Sequence, residues 1–389
     1  MTKFERREPS PTMRRLKIVT ILGTRPEAIK MAPVIRELDR SAAFEHVVVS
    51  TAQHRDLLDQ VLFVFGIEPE IDLGLMQHDQ SLAGFASRAL SSISELLAER
   101  RPDVVLIQGD TTTVMTAALA AFYQGISVGH VEAGLRSFDR GNPFPEEINR
   151  RIAGCLADIH FAPTERARLN LLSEGVAEEH IFVTGNTIVD ALQSIPLAGS
   201  FDDERLSRID FDHKRVLLVT AHRRENHGLP LRSICSALRT LVTIFNDVEI
   251  VYPVHRNPNV SRVVQEELSG TARIHLTDPV SYTDALRLMS RCFLILTDSG
   301  GIQEEAPSFH KPVLILRETT ERPEVVEAGA GKLVGTDAGC ITEEVARLLT
   351  DAQVYELMST ARNPFGDGHA AERIADILER LRPKLLRGG

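Results

Sequence analysis

The chain has 389 residues, 43% of them hydrophobic, with 44 Lys and Arg against 54 Asp and Glu for a formal charge of −10. That length exceeds one comfortable core and points to two domains, and the acidic balance leaves no basic footprint for nucleic acid, which directs attention to a small ligand. No apolar run approaches the roughly 20 residues of a membrane helix; Cys155, Cys235, Cys292 and Cys340 form no CxxC pair and no zinc-like spacing, so a reduced, cytoplasmic setting without a metal is expected.

The first fifteen residues, MTKFERREPSPTMRR, are charged and lack the apolar core of a signal peptide. They read as a disordered arm, with Met13 an alternative start. KIVTIL (17–22) then reads as a strand, followed by Gly23-Thr24-Arg25-Pro26-Glu27 at the opening of a helix. In that helix Ile29, Val34, Ile35 and Leu38 share one face. A glycine turn with Pro at a helix start aims backbone N–H groups and the positive dipole end at one point, and Arg25 and Lys30 add full charges, a combination suited to an anion. The plainer alternative is a strand-to-helix turn with surface charges. The motif is not GxGxxG, so it offers no nicotinamide site.

Further strands are expected at 46–51, 104–109, 127–132 and 158–163, separated by helical stretches such as SLAGFASRALSSISELLAER. Alternating β and α units predict a parallel, doubly wound sheet with right-handed crossovers. Such sheets place their chemistry at the carboxyl edge. Asp110 (QGDTTT) and Glu132 (HVEAGLRS) stand there, and Glu146 (NPFPEEINRR) follows close behind.

The rhythm breaks over residues 192–214, which read as a polar linker. A second series follows, with strands expected at 215–220, 248–254, 273–277, 293–297 and 312–316. The predicted fold class is therefore α/β, two Rossmann-like domains over 16–191 and 214–368 facing across a cleft. A C-terminal helix within 369–389 is expected to pack back on the first domain. A cleft between two such domains is a common place for a ligand.

The second domain carries its own anion element. After the strand FLILT comes Asp298-Ser299-Gly300-Gly301, whose amides and hydroxyl suit a diphosphate, and Glu305 stands one turn on, where it can accept from a ribose diol. Arg322, in TTERPE, is placed to close on the same nucleotide. A capped helix with a close-packing glycine explains Gly300 or Gly301 singly and the whole run less well. His222, in AHRREN, follows the strand RVLLVT and can donate to a phosphate or exchange a proton near neutral pH; His255, in PVHRNP, is a weaker case of the same kind. Gly329-Ala330-Gly331-Lys332 lacks the spacing of a phosphate loop and reads as a turn. Asp210-Phe211-Asp212 imitates a metal-binding DxD inside the presumed linker, with nothing nearby to complete a magnesium site.

Three carboxylates around a sugar suit a reaction that moves protons on both faces of the ring. Inversion beside the anomeric carbon is such a reaction, because its C–H is not acidified by a carbonyl and must leave as the nucleotide diphosphate departs. Crowded carboxylates also raise at least one pKa, which helps one side chain act as acid as well as base.

In order, GTRPEAIK, AQHRDLLDQV, QGDTTTV, HVEAGLRS, NPFPEEINRR, VTGNTIVDAL, AHRREN, DSGGIQEEAP and TTERPE resemble the motifs of the non-hydrolysing UDP-N-acetylglucosamine 2-epimerases, over about residues 17–382. The resemblance implies the glycosyltransferase-B fold and reversible conversion of UDP-GlcNAc to UDP-ManNAc, by anti elimination of UDP to 2-acetamidoglucal and re-addition, with ManNAc destined for surface polysaccharide. It implies no cofactor, no metal, no nucleic-acid or membrane partner, and a homodimer. Carried over residue by residue, it places catalysis on Asp110, Glu132 and Glu146, with Arg150 in the same segment and His222 near the leaving diphosphate. Nucleotide binding falls on Arg25, Lys30, Ser299, Gly300, Gly301, Glu305 and Arg322. A second, activating UDP-GlcNAc is implied beside Gln53 and His255. The chain departs from the family pattern at Val280 and Ala285, near the uracil wall, and at Asp56, near the activator. A hydrolysing 2-epimerase, a glycosyltransferase of the same architecture and a nucleotide-sugar sensor are the alternatives, in that order.

Overall fold

Short runs of aliphatic and β-branched residues, each stopping at Gly, Asp, Thr or Glu, become the parallel strands of two sheets. The computed structural model describes residues 14–51, 55–77 and 80–386, without the side chains of 55–57; the N-terminal arm, Gln53 and the Asp56 side chain lie outside the described residues. One unit comprises the residues up to Ser194 together with those from Gly366 onward, and the other is Ile195–Phe365.

In the first unit β1 (Leu16–Leu22), β2 (Phe44–Ser50), β3 (Ile71–Asp72), β4 (Val104–Gln108), β5 (Ser127–Val131), β6 (Ile159–Ala162) and β7 (Ile181–Val183) lie in the order β3-β2-β1-β4-β5-β6-β7. All pairings are parallel. The strand order reverses between β1 and β4, so the turns that follow these two strands open the crevice where open α/β sheets take ligands.

One face of this sheet buries Val19, Ile21, Val105 and Ile107 against Phe85, Ile93 and Leu97 of helix Leu82–Arg100 and the alanines of helix Thr112–Tyr123. Ala117, Ala118, Ala120 and Ala121 are fully buried, and their small side chains let this helix sit close to its neighbours. Removing a side chain such as Phe85 would cost about 3–5 kcal/mol. Both helices start at hydroxyl caps: Ser81 accepts from the Gly84 N–H and Thr111 from the Val114 N–H. The last helix, Ala370–Leu385, packs on helices Arg25–Arg40 and Thr187–Ser194. Asp190 ties down its start by accepting the Ala371 N–H at 2.8 Å.

The second unit repeats the plan. Strands β8 (Arg215–Thr220), β9 (Val248–Pro253), β10 (Ile274–Thr277), β11 (Leu294–Thr297), β12 (Val313–Ile315) and β13 (Gly331–Leu333) lie in the order β10-β9-β8-β11-β12-β13, all parallel. Its reversal falls between β8 and β11, placing the turns after RVLLVT and FLILT side by side.

Two expectations need correction. The stretch 192–214 is packed rather than free: Ile195, Phe201, Leu206 and Ile209 are buried, the Phe201 and Phe211 rings stack at 5.5 Å, and Asp284 accepts the N–H groups of Asp202 and Asp203. Scattered apolar residues anchor this polar stretch to the second unit. Gly331 and Lys332 do not form a turn but open the edge strand β13. A side chain at Gly331 would meet the Val313 carbonyl at 3.3 Å, so glycine permits the close strand approach. Strands β3, β7 and β13 had no clear signal, being two or three residues long.

Candidate active site

At the carboxyl edge of the first sheet, the turn after β1 delivers Gly23 and the helix beginning at Arg25. A side chain at Gly23 would collide with the Thr113 hydroxyl, so only glycine lets the turns after β1 and β4 close on each other. Arg25 is exposed at the helix start, while Lys30, one turn further in, is 9% exposed and forms an ion pair with Glu132. Glu132 follows β5 with φ at +63°, a left-handed conformation that costs a non-glycine residue energy. Asn186 Nδ2 donates to the same Glu132 oxygen, Oε2, at 3.4 Å.

Beside it, Gly109 with φ at +83° turns the chain after β4 and presents Asp110, which forms an ion pair with Arg150. Glu146 begins helix Glu146–Leu156, and Arg150 is on the next turn, so the two share a face at i, i+4 spacing. The first unit therefore joins Lys30 to Glu132 and Asp110 to Arg150. Lys30, placed with the nucleotide by resemblance, pairs with the Glu132 carboxylate.

Asp110 and Glu132 each face a cation. In the turn after β1, burial pushes the Glu27 carboxyl up to about 7. Glu27 accepts from the Gly23 N–H at 2.6 Å and the Thr24 hydroxyl at 3.0 Å.

In the second unit the organising group is Asp298, fully buried after β11. Its Oδ2 accepts the N–H groups of His222 and Arg223 at 2.8 Å each and the Asn226 amide at 2.9 Å. The Nδ1 of His222 lies 3.4 Å from Oδ1. Burial lowers the His222 pKa, with Asp298 offsetting part of the shift, so the imidazole is held toward its neutral form. The His255 ring stacks on it at 5.2 Å.

Ser299 and Gly300 open the helix Gly300–Glu305, and a side chain at Gly300 would lie 3.7 Å from the Arg223 guanidinium. Arg322 pairs with the buried Glu304, and its N–H donates to the Thr320 hydroxyl at 3.0 Å. Glu305 accepts from the Tyr282 hydroxyl at 3.4 Å. Arg317 bridges Glu225 at 2.5 Å and Glu321 at 2.7 Å, which ties the AHRREN loop to TTERPE. Amides, a hydroxyl and arginines at one sheet edge can bind a diphosphate, and a glutamate beside them can accept from a sugar diol.

Sequence reasoning missed Glu27, Asn186, Asn226, Asp298 and Glu304. Each stands inside a motif already singled out, so the available signal was the polar residue next to the chosen one. Among the described residues no group of three or more His, Cys, Asp or Glu is arranged to hold a metal ion, and no helix is long and apolar enough to cross a membrane.

Comparisons with known proteins agree on one family. The family model for UDP-N-acetylglucosamine 2-epimerase matches residues 36–379. The UDP-N-acetylglucosamine 2-epimerase of Escherichia coli K12 is 50% identical over 376 residues, covering 95% of this chain and 100% of that protein. Among solved structures, the Neisseria meningitidis UDP-GlcNAc 2-epimerase bound to UDP-GlcNAc superposes with a TM-score of 0.85 at 44% identity, covering 94% of this chain and 100% of that one. The Methanocaldococcus jannaschii enzyme in complex with UDP-GlcNAc and UDP gives 0.77 at 36% identity over the same shares. Two doubly wound parallel sheets and these neighbours give the α/β, glycosyltransferase-B-like fold, and the chain belongs to the UDP-N-acetylglucosamine 2-epimerase family.

Proposed function

We propose that this protein interconverts UDP-GlcNAc and UDP-ManNAc without net hydrolysis. A base removes the C2 proton as the C1–O bond to UDP breaks, leaving 2-acetamidoglucal and UDP. UDP then re-adds at C1 while a proton is delivered to the opposite face of C2. The observation that carries this reading is the pairing of Asp110 with Arg150 and of Glu132 with Lys30 at one sheet edge. It supplies two oriented carboxylates with their charge compensated, where a glycosyl transfer needs one base at most.

On this reading Asp110, Glu132 and Glu146 perform the proton transfers, and Arg150 and Lys30 orient two of them. His222, set by Asp298, assists the departing diphosphate. Arg25, Ser299, Gly300, Gly301, Glu305 and Arg322 hold UDP, a ligand class supported by the UDP-GlcNAc and UDP bound in the related structures. The same reading takes the protein as a cytoplasmic homodimer supplying ManNAc for surface polysaccharide, with a second UDP-GlcNAc beside His255 and Gln53 as activator.

Incubation with UDP-GlcNAc in D₂O tests it. Deuterium at C2 of both UDP-sugars with little free ManNAc is expected. Accumulating UDP and free ManNAc would instead select hydrolysis, and an unlabelled C2 with an acceptor requirement would select a glycosyltransferase.

A further inference from the structure

Asp110 is held from both sides by two buried titratable groups that the proposed chemistry does not use. Before it, the Nε2–H of His130 donates to the Gly109 carbonyl at 2.8 Å. His130 is fully buried on β5, and its Nδ1 has no hydrogen-bond partner among the described residues. Burial pushes its pKa down to about 3, so a neutral ring must keep its one proton on the nitrogen facing the carbonyl. After Asp110, the Thr111 hydroxyl donates to the Glu27 carboxylate. Glu27 is 1% exposed, and its donors, from Gly23, Thr24 and Thr111, are all neutral.

A helix cap explains part of this. Thr24 and Glu27 have the spacing in which an N-terminal glutamate reaches back to the start of its own helix. Capping requires neither burial nor a bond to a different loop, and burying a carboxylate among neutral donors is costly. The link from Glu27 to Thr111 joins the turn after β1 to the turn after β4, next to Asp110. Gly109, at φ +83°, has the widest backbone freedom in that turn, and His130 removes that freedom.

We infer that Glu27 and His130 are positioning residues that hold the 109–111 turn, and with it the Asp110 carboxylate, in the reacting geometry through Thr111 and Gly109. The inference rests on the proposed epimerisation, and it concerns how Asp110 is placed rather than what Asp110 does.

The test measures kcat and KM for UDP-GlcNAc and UDP affinity by calorimetry in wild type and in the H130L, H130Q, E27A, T111V and T111S variants. H130L, E27A and T111V should lower kcat on the order of ten- to a hundredfold, as expected for a reacting group displaced by a fraction of an ångström to an ångström. KM and UDP affinity should stay within about threefold, since the interaction lost is one made only in the transition state. H130Q, which offers an N–H in place of Nε2, and T111S, which keeps the hydroxyl, should recover most of the rate. If E27A does not fold, T111V breaks the same link while Glu27 keeps its bonds to Gly23 and Thr24, and a urea midpoint reads the lost Val114 cap separately. Folded H130L and T111V with undiminished kcat, or conservative variants as slow as the others, would overturn the positioning role alone. A wild type that does not turn over UDP-GlcNAc would overturn the epimerase reading and this inference with it.

Discussion

Asp298 and His222 meet twice: Oδ2 of Asp298 accepts the His222 N–H at 2.8 Å, and its Oδ1 lies 3.4 Å from Nδ1 of the same residue. One buried carboxylate thus fixes the backbone of the histidine assigned to the leaving diphosphate and stands beside its ring. Asp298→Ala strands the backbone N–H groups of His222 and Arg223 and one N–H of the Asn226 amide, whose other bond goes to the Leu316 carbonyl. Such unpaired buried donors cost about 1–3 kcal/mol each, so the urea midpoint should fall clearly. Asp298→Asn keeps the shape and should fold better while slowing turnover. Full activity in a folded Asp298→Ala protein would remove His222 orientation from the mechanism.

Lys30 and Glu132 present a different case, a pair with side chains 11% and 6% exposed. Removing one partner takes the facing counter-charge from a buried ion, and Lys30→Met or Glu132→Gln should each destabilise the fold, Lys30→Met the more strongly, by about 3 kcal/mol or more. The double variant should regain much of that loss. Additive losses in a denaturation cycle would show that the two groups do not depend on each other.

Turnover and affinity separate two sets of residues. Asp110→Asn and Glu132→Gln should cut kcat by roughly 10²-fold or more, the scale of a lost general acid or base, with UDP affinity kept. Arg25→Ala or Arg322→Ala should weaken UDP binding by about 1.5–3 kcal/mol, the scale of a charged hydrogen bond. Calorimetry with UDP distinguishes the two groups of variants, and reversed effects would exchange their assignments.

Stability should fall on mild acidification. Burial lowers His130 to about 3 and His160 to about 4, below the 6.5 of an ordinary histidine. The unfolded chain therefore takes up protons first as pH drops below 6.5, and each histidine costs about 1.4 kcal/mol per pH unit until its folded pKa is reached. Glu27, raised from 4.5 to about 7, acts oppositely: its contribution is present at low pH and is lost as pH rises through that window. Between 4.5 and 6.5 two histidine slopes oppose one glutamate slope, so acid destabilises. Urea midpoints at several pH values should show a steeper acid decline in Glu27→Gln and a shallower one in His160→Gln. The reverse order would place the buried protons elsewhere.

Activation can be read from one progress curve. With UDP-ManNAc as sole substrate, a lag that disappears on adding a trace of UDP-GlcNAc is expected if the activator site is present. His255→Ala should lengthen or abolish the response, and an immediate linear rate in wild type would dispose of the second site.

The motif order and the abrupt ends of the apolar runs made two βα series readable, because a buried parallel strand has to be apolar on both faces and stop where the chain returns to polar surroundings. The helix of Arg25–Arg40 and the strand Arg215–Thr220 fall where those patterns put them, to within a residue. Asp110 and Glu132 were legible for the same reason, standing directly after strands. The edge strands were not, since two or three paired residues leave no period to detect. Residues 192–214 look polar by composition, and their attachment depends on four buried apolar side chains meeting a distant surface.

From residue types in order, then, come the architecture, the family and the acidic and basic groups that stand at the sheet edges. Only the folded chain decides who partners whom: Lys30 with Glu132 across 102 positions, Asp298 beneath His222, and Glu27 bound to the turn that carries Asp110. Local pattern records whether a side chain is apolar or charged, whereas pairing depends on which strand ends the sheet order sets next to each other and on how deeply each charge is taken out of water.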